Sequence, residues 1–222
     1  MAMVINTNIS SLAAQRNLAR SSGTLRKSVE RLSSGLRINR AADDAAGLAV
    51  STTLKAQIRS VNQAIRNSND AVSLLQTAEG GLAEMGNILL RMRELAQQAA
   101  NGALGDTERQ FLNDEYLALK SEIQRISDVT EFAGKKLLNG ALSAGVEFQV
   151  GFQNSANDRM ELSINQASAA RLGLNTTSAN TISTAAVAQS ALSVIDSSAI
   201  STLSERRADI GALQNRLEYT IA

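Results

Sequence analysis

A mainly α fold is predicted, a long helical rod or bundle of coiled-coil character with one small β-hairpin region. Three observations predict it. Apolar residues recur at steps of three and four through most of the 222 residues, the spacing of a helical stripe. Proline is absent from the whole chain, so no ring interrupts a long helix. Hydrophobic residues reach 44% but aromatics only 3%, so the apolar content is chiefly Ala, Leu, Ile and Val. Such residues fill narrow helix–helix seams better than a thick core.

The first stripe holds Ile5, Ile9, Leu12, Leu18, Leu25, Val29, Leu32 and Leu36, with Asn8 or Ser10 placed to cap its start. It is thin and Ser-rich, carries Gly23, and is expected to stay disordered until another helix covers it. Gly35 then stops the helix, and Asp43 or Asp44 caps the next. From Ala45 to about Ala100 the pattern is continuous. Leu54, Ile58, Val61, Ile65, Val72, Leu75, Leu82 and Leu89 hold heptad spacing, with Ser68, Glu79 and Gly86 in the same seam. A helix of that length would span roughly 84 Å and must pack lengthwise against others. Gly80, Gly81, Gly86 and Ala199 are small enough to permit close approach.

After a turn at 101–105, Thr107 and Gln110 stand at capping-box spacing. The helix they open, about 106–128, carries Leu112, Tyr116, Leu119, Ile123 and Ile126 and returns antiparallel to the first. The period then changes to two. Val146, Phe148, Val150 and Phe152, then Met160, Leu162 and Ile164, predict one hairpin over about 146–164, with its loop at Asn154–Asp158. Three of the four Phe lie between Phe132 and Ile164, so this sheet is expected to carry most of the aromatic burial. Residues 165–184 read as a loop with one helical turn near Ala167–Leu172. The last helix, about 185–222, carries Leu192, Ile195, Ala199, Leu203, Ile210, Leu213 and Leu217. Its successive steps of four at Ile195–Ala199–Leu203 form a stutter that unwinds a coiled coil locally. The stripe stops at Ala222 without a cap, as expected of a shortened chain.

Catalytic chemistry finds little to work with. Cys and His are absent, which removes disulfides, thiolates, thiolate- or imidazole-bound zinc and every imidazole device. The acid pairs Asp43–Asp44, Asp114–Glu115 and Glu205–Asp209 suit caps and solvated faces better than acid–base work. Gly145 and Gly151 form no phosphate loop, and Asn154–Asp158 offers too few ligands for calcium. No cofactor is expected. With 22 Lys and Arg against 21 Asp and Glu, the net charge of +1 argues against a nucleic-acid footprint. No apolar run is long enough for a membrane span, and no cleaved signal peptide opens the chain. The segment Arg91-Met92-Arg93-Glu94 reads as a solvated face with an intrahelical ion pair, or as a contact patch if its Arg and Leu are exposed together.

Several blocks resemble bacterial flagellin: Ile5-Asn6-Thr7-Asn8 with Leu12, Arg31 to Asn39, Ala41 to Ala49, Arg91 to Asn101, and Arg207 to Leu217. The resemblance runs through essentially the whole chain. It implies a non-enzymatic, self-assembling subunit of the flagellar filament, a helical homopolymer, exported unfolded through the flagellum's own channel and hence secreted and extracellular. It implies an inner-core arm with its connector at 1–44 and an outer-layer helical domain at 45–222. The assembly stripe is then Ile5, Ile9, Leu12, Leu25, Val29, Leu32 and Leu36. On that pattern the family's variable outer domains are expected to be missing or vestigial, and its C-terminal arm, which would follow Ala222, to be absent. An export chaperone and cap proteins are implied as partners. So is recognition by Toll-like receptor 5, through positions matching Arg91, Leu95 and Glu115, with Arg93 and Gln98 nearby; the same patch is implied as a subunit contact. A hook–filament junction protein, and a shortened chain acting mainly as a monomeric immune-receptor ligand, are the competing expectations.

Overall fold

The computed structural model describes residues 8–176 and 179–222. Ile5 of the expected stripe lies outside them. Five helices and two small antiparallel sheets follow one another along the chain: α1 (Ile9–Ser34), α2 (Ala45–Ala99), α3 (Asp106–Val129), β1 (Glu131–Phe132), β2 (Lys135–Lys136), β3 (Val146–Gln149), β4 (Arg159–Leu162), α4 (Ala185–Val194) and α5 (Ile200–Ile221). A π-helical turn, Ile195–Ala199, joins the last two. The mainly α fold expected from the sequence is the fold found. The chain divides into two compact units, residues 1–59 and 60–222. The division falls inside α2.

In the first unit α1 starts at Asn8, whose side chain accepts from the Ser11 N–H at 3.1 Å, and stops at Gly35 in the left-handed conformation (φ 66°). No residue of α1 is buried. The connector folds back on the helix. Asp43 takes Lys27 Nζ at 2.5 Å, while Glu30 Oε1 accepts from Arg40 Nε at 2.7 Å and Asn39 Nδ2 at 3.1 Å. The Lys27 hydrogen bond holds the Asp43 carboxyl below its ordinary range, against the cost of burying it. Asp44, not Asp43, caps α2: its Oδ1 accepts from Gly47 N–H at 2.8 Å.

In the second unit Ala64, Ser68, Ala71, Leu75, Ala78, Leu82, Met85, Leu89, Met92, Ala96 and Ala99 are buried, at unbroken alternating steps of four and three. One row of this seam, Ser68, Leu75, Leu82 and Leu89, is the row expected. The other is displaced by one residue, because Ala71, Ala78 and Met85 take the places assigned to Val72, Glu79 and Gly86, which are only partly buried. Leu54, Ile58 and Val61 are exposed. Close approach decides Gly81, where a Cβ would stand 2.9 Å from Leu138 Cδ1, whereas Gly80 has open space around it.

Helix α3 returns antiparallel to α2, but without the expected capping box. Its N-cap is Gly105 with no side-chain bond, and Thr107 already lies inside the helix. Asp106 and Glu108 in the first turn meet the positive helix end, and Asp106 also takes Arg109 Nη1 at 3.2 Å.

The expected hairpin is present with Val146 opposite Leu162 and Gln149 opposite Arg159. A second one, β1–β2, was not foreseen; its turn puts Ala133 (φ 49°) and Gly134 (φ 78°) both in the left-handed region. The 132–164 stretch holds most of the aromatic burial, as expected, but not the most deeply buried ring. Phe152 and Phe111 are exposed, Phe132 and Phe148 are half-buried, and the fully buried aromatic is Tyr116.

Residues 165–176 make the one helical turn expected, Leu172 N–H donating to Ser168 O at 3.0 Å before Gly173 (φ 82°). This loop is not superficial. Leu172, Leu174, Ala179 and Ile182 are buried, tied to α3 by Tyr116 Oη donating to Ala179 O at 3.0 Å and Ile182 N–H donating to Asn113 Oδ1 at 2.9 Å. Helix α5 runs antiparallel to α2, as Arg93–Asp196 (2.6 Å) and Arg207–Glu79 (3.1 Å) show.

Candidate functional site

Arg109 ties the C-terminal end of α2 to the turn that follows it. This side chain is buried and donates Nε to Ala99 O at 3.0 Å and Nη2 to Asn101 O at 3.2 Å and Leu104 O at 3.1 Å. The last carbonyls of a helix lack intrahelical donors, and a guanidinium supplies them together with the positive charge that this helix end favours. The sequence gives Arg109 no signal of its own, since one arginine in a helical turn is ordinary.

On that hairpin Arg91 and Glu115 meet. Arg91 donates Nε and Nη2 to Glu115 Oε1 at 3.0 and 2.9 Å, and Nη1 to Glu94 Oε2 at 3.0 Å. The Glu115 bonds, then the Glu94 bond, raise the Arg91 pKa above its ordinary value. The intrahelical ion pair expected of this segment is present, and the same guanidinium also reaches across to α3. Arg93 turns elsewhere, to Asp196 at 2.6 Å, and is raised for that reason. Gln98 is exposed and lines a cavity of about 680 Å³ with Glu94, Gln97, Asn101, Gln189 and Leu192.

Leu95 does not join the surface. It is 1% exposed and packed in the core, so the expectation of Arg and Leu exposed together is corrected at this residue. The apolar groups beside the ion pair are Leu90, immediately before Arg91 and 55% exposed, and Phe111, one turn before Glu115 and 68% exposed. Phe111 lies off the stripe Leu112–Tyr116–Leu119, and that displacement was its readable signal.

Among the described residues no three acidic or metal-binding side chains converge, and no helix is long and apolar enough to cross a membrane. The sequence pattern of the bacterial flagellin N-terminal helical region matches residues 5–142. The chain belongs to the bacterial flagellin family. That is a family of structural proteins of the flagellar filament and not of enzymes. A flagellin of Halalkalibacterium halodurans is 45% identical over 219 residues, 99% of this chain and 79% of the relative. Other flagellins matched at 48–49% identity are spanned over only 35–45% of their own length. The crystal structure of Bacillus cereus flagellin shares 34% identity at a TM-score of 0.61, covering 71% of this chain and 87% of that one. A structure assigned to a flagellar hook-associated protein of Vibrio parahaemolyticus has a TM-score of 0.64, covering 82% of this chain and 92% of its own, but at 16% identity it shares the fold alone.

Proposed function

We propose that this flagellin serves as a structural subunit of a helical filament outside the cell, exported through the flagellum's own channel with the help of a chaperone and placed under cap proteins. One observation carries the reading. Ile9, Leu12, Leu18, Leu25, Val29, Leu32 and Leu36 are 45–89% exposed along α1 and its end, and Val50, Leu54, Ile58 and Val61 are exposed on the first half of α2. Contiguous apolar stripes of this kind are interaction surfaces, and repeated head-to-tail contacts build filaments. In the domain layout proposed, 1–44 is the inner-core arm and 45–222 the outer-layer domain. Elongation of filament seeds by the purified chain tests the reading. A chain that stays monomeric beside competent seeds, yet stimulates Toll-like receptor 5, would replace it with the monomeric-ligand reading. A chain that only joins hook to filament would replace it with the junction reading, against which the 45% identity to a flagellin weighs.

The second part of the proposal assigns receptor and subunit contact to Arg91, Glu115 and Gln98, with Arg93 at the edge and Leu95 beneath as support. Leu90 and Phe111 supply the apolar part. A charge-assisted pair flanked by exposed apolar side chains is a suitable anchor for a partner. The double variant Arg91→Ala, Phe111→Ala is expected to lower receptor signalling at least about ten-fold, the loss of one good anchor. Its helicity by circular dichroism should be unchanged. Undiminished signalling would reject the patch.

A further inference from the structure

Helix α5 places Leu203, Ile210 and Leu217 in its seam, and steps of three and four between them pass through Arg206 and Leu213. A guanidinium therefore stands at a seam position. Its side chain is 24% exposed, and its Nε is buried and finds no acceptor among the described residues. Its nearest acid, Asp209, lies 4.0 Å from Nη1, at the limit of an ion pair. Leaving a buried charged donor unbonded is costly, so the Arg206 charge is poorly compensated within the chain, and an outside acceptor can meet it only at the exposed part of the guanidinium.

The surroundings say what kind. Arg206 lines a cavity of about 310 Å³ with Arg171, Asn139, Ser143, Asn165 and Gln166. No acid is among the lining residues, and Arg171 has no ion-pair partner among the described residues. The carbonyl oxygen of the Asn139 side chain is already taken by Ala141 N–H at 3.0 Å, so that residue offers the hollow its NH2 donors. Gly140 also lines the hollow; its φ of 95° disfavours a side chain, and a Cβ there would press on Gln166 Cβ at 3.3 Å. Two guanidiniums and amide donors around one hollow without a carboxylate match an oxyanion.

The geometry points to an oxyanion site between Arg171 and Arg206, filled by a free phosphate-like ion or by the carboxylate of a second copy of this chain. The second source rests on the filament reading; the first does not. The Arg Nε–Hε signals of the full chain are followed by NMR while inorganic phosphate is titrated against chloride at matched ionic strength. A saturable shift of the Arg206 and Arg171 signals, weakened about ten-fold in both Arg206→Gln and Arg171→Gln, establishes the free ion. Absence of that shift, with seed elongation lost in Arg206→Gln at unchanged melting temperature and kept in Arg206→Lys, establishes the carboxylate. No saturable shift together with parental elongation by both Gln variants overturns the site. If the parent chain itself does not elongate seeds, the filament reading fails separately and the phosphate titration alone decides.

Discussion

Leu95 and Tyr116 show how little a residue's type says about its depth. Leu95 is four residues from an exposed arginine yet belongs to the core. Leu95→Ala is therefore expected to destabilise the second unit by about 2–5 kcal/mol, the usual cost of deleting a buried leucine, seen as a lower denaturation midpoint. Arg91→Ala, on the surface, should leave that midpoint close to the parent's. Tyr116 is fully buried with its hydroxyl on Ala179 O, and burial pushes its pKa up to about 12. An unfolded phenol ionises near 10. The raised value means that stability is complete below about pH 10 and drains away as pH rises towards 12. Denaturant midpoints across pH 9–12 should fall in that window for the parent, and the fall should be shallower in Tyr116→Phe.

Among the elements, the π-helical turn is the feature the sequence announces most directly. The seam steps Ile195–Ala199–Leu203 are four and four where a regular seam needs three and four, and the surplus residue is absorbed between Ile195 and Ala199. Deleting exposed Ser197 would restore alternating steps and keep Leu203, Ile210 and Leu217 inward. That variant is expected to fold with a melting temperature within about 5 °C of the parent. Deleting Glu205 instead would turn Ile210 and Leu217 by about 100° out of the seam and should lower it far more. Other elements were less legible. The second row of the α2 seam consists partly of Ala71 and Ala78, and alanine is equally at home inside and outside, so Val72 drew the pattern one residue aside. The β1–β2 hairpin depends on Ala133 at positive φ, a conformation alanine does not advertise. The Arg91–Glu94 pair was legible from its spacing of three on one helix, whereas Arg91 and Glu115 were named together only by what the family resemblance implies; the depth of Leu95 was not legible, because it depends on what packs over it.

Taken as a whole, the chain distributes its packing unevenly. Every buried residue described lies in the second unit, while the first holds its structure by caps and by ion pairs such as Lys27–Asp43. Helices without tertiary cover open easily, since most helical stability in proteins comes from packing. In hydrogen exchange on the monomer, amides of α1 are expected to exchange orders of magnitude faster than those of Leu75 to Ala96. Comparable protection in α1 would contradict this distribution. In the proposed filament the same unevenness suits assembly, because the stripe left bare in the monomer would be the one to gain cover.

The chain has no tryptophan, and its two tyrosines differ sharply: Tyr219 is 84% exposed, whereas Tyr116 is sealed where α3 grips the 179–182 segment. Ultraviolet emission from this protein thus has a built-in contrast between one solvated phenol and one shielded phenol. With Tyr219→Phe in place, the remaining fluorophore would watch that single junction, reporting its release without any attached dye.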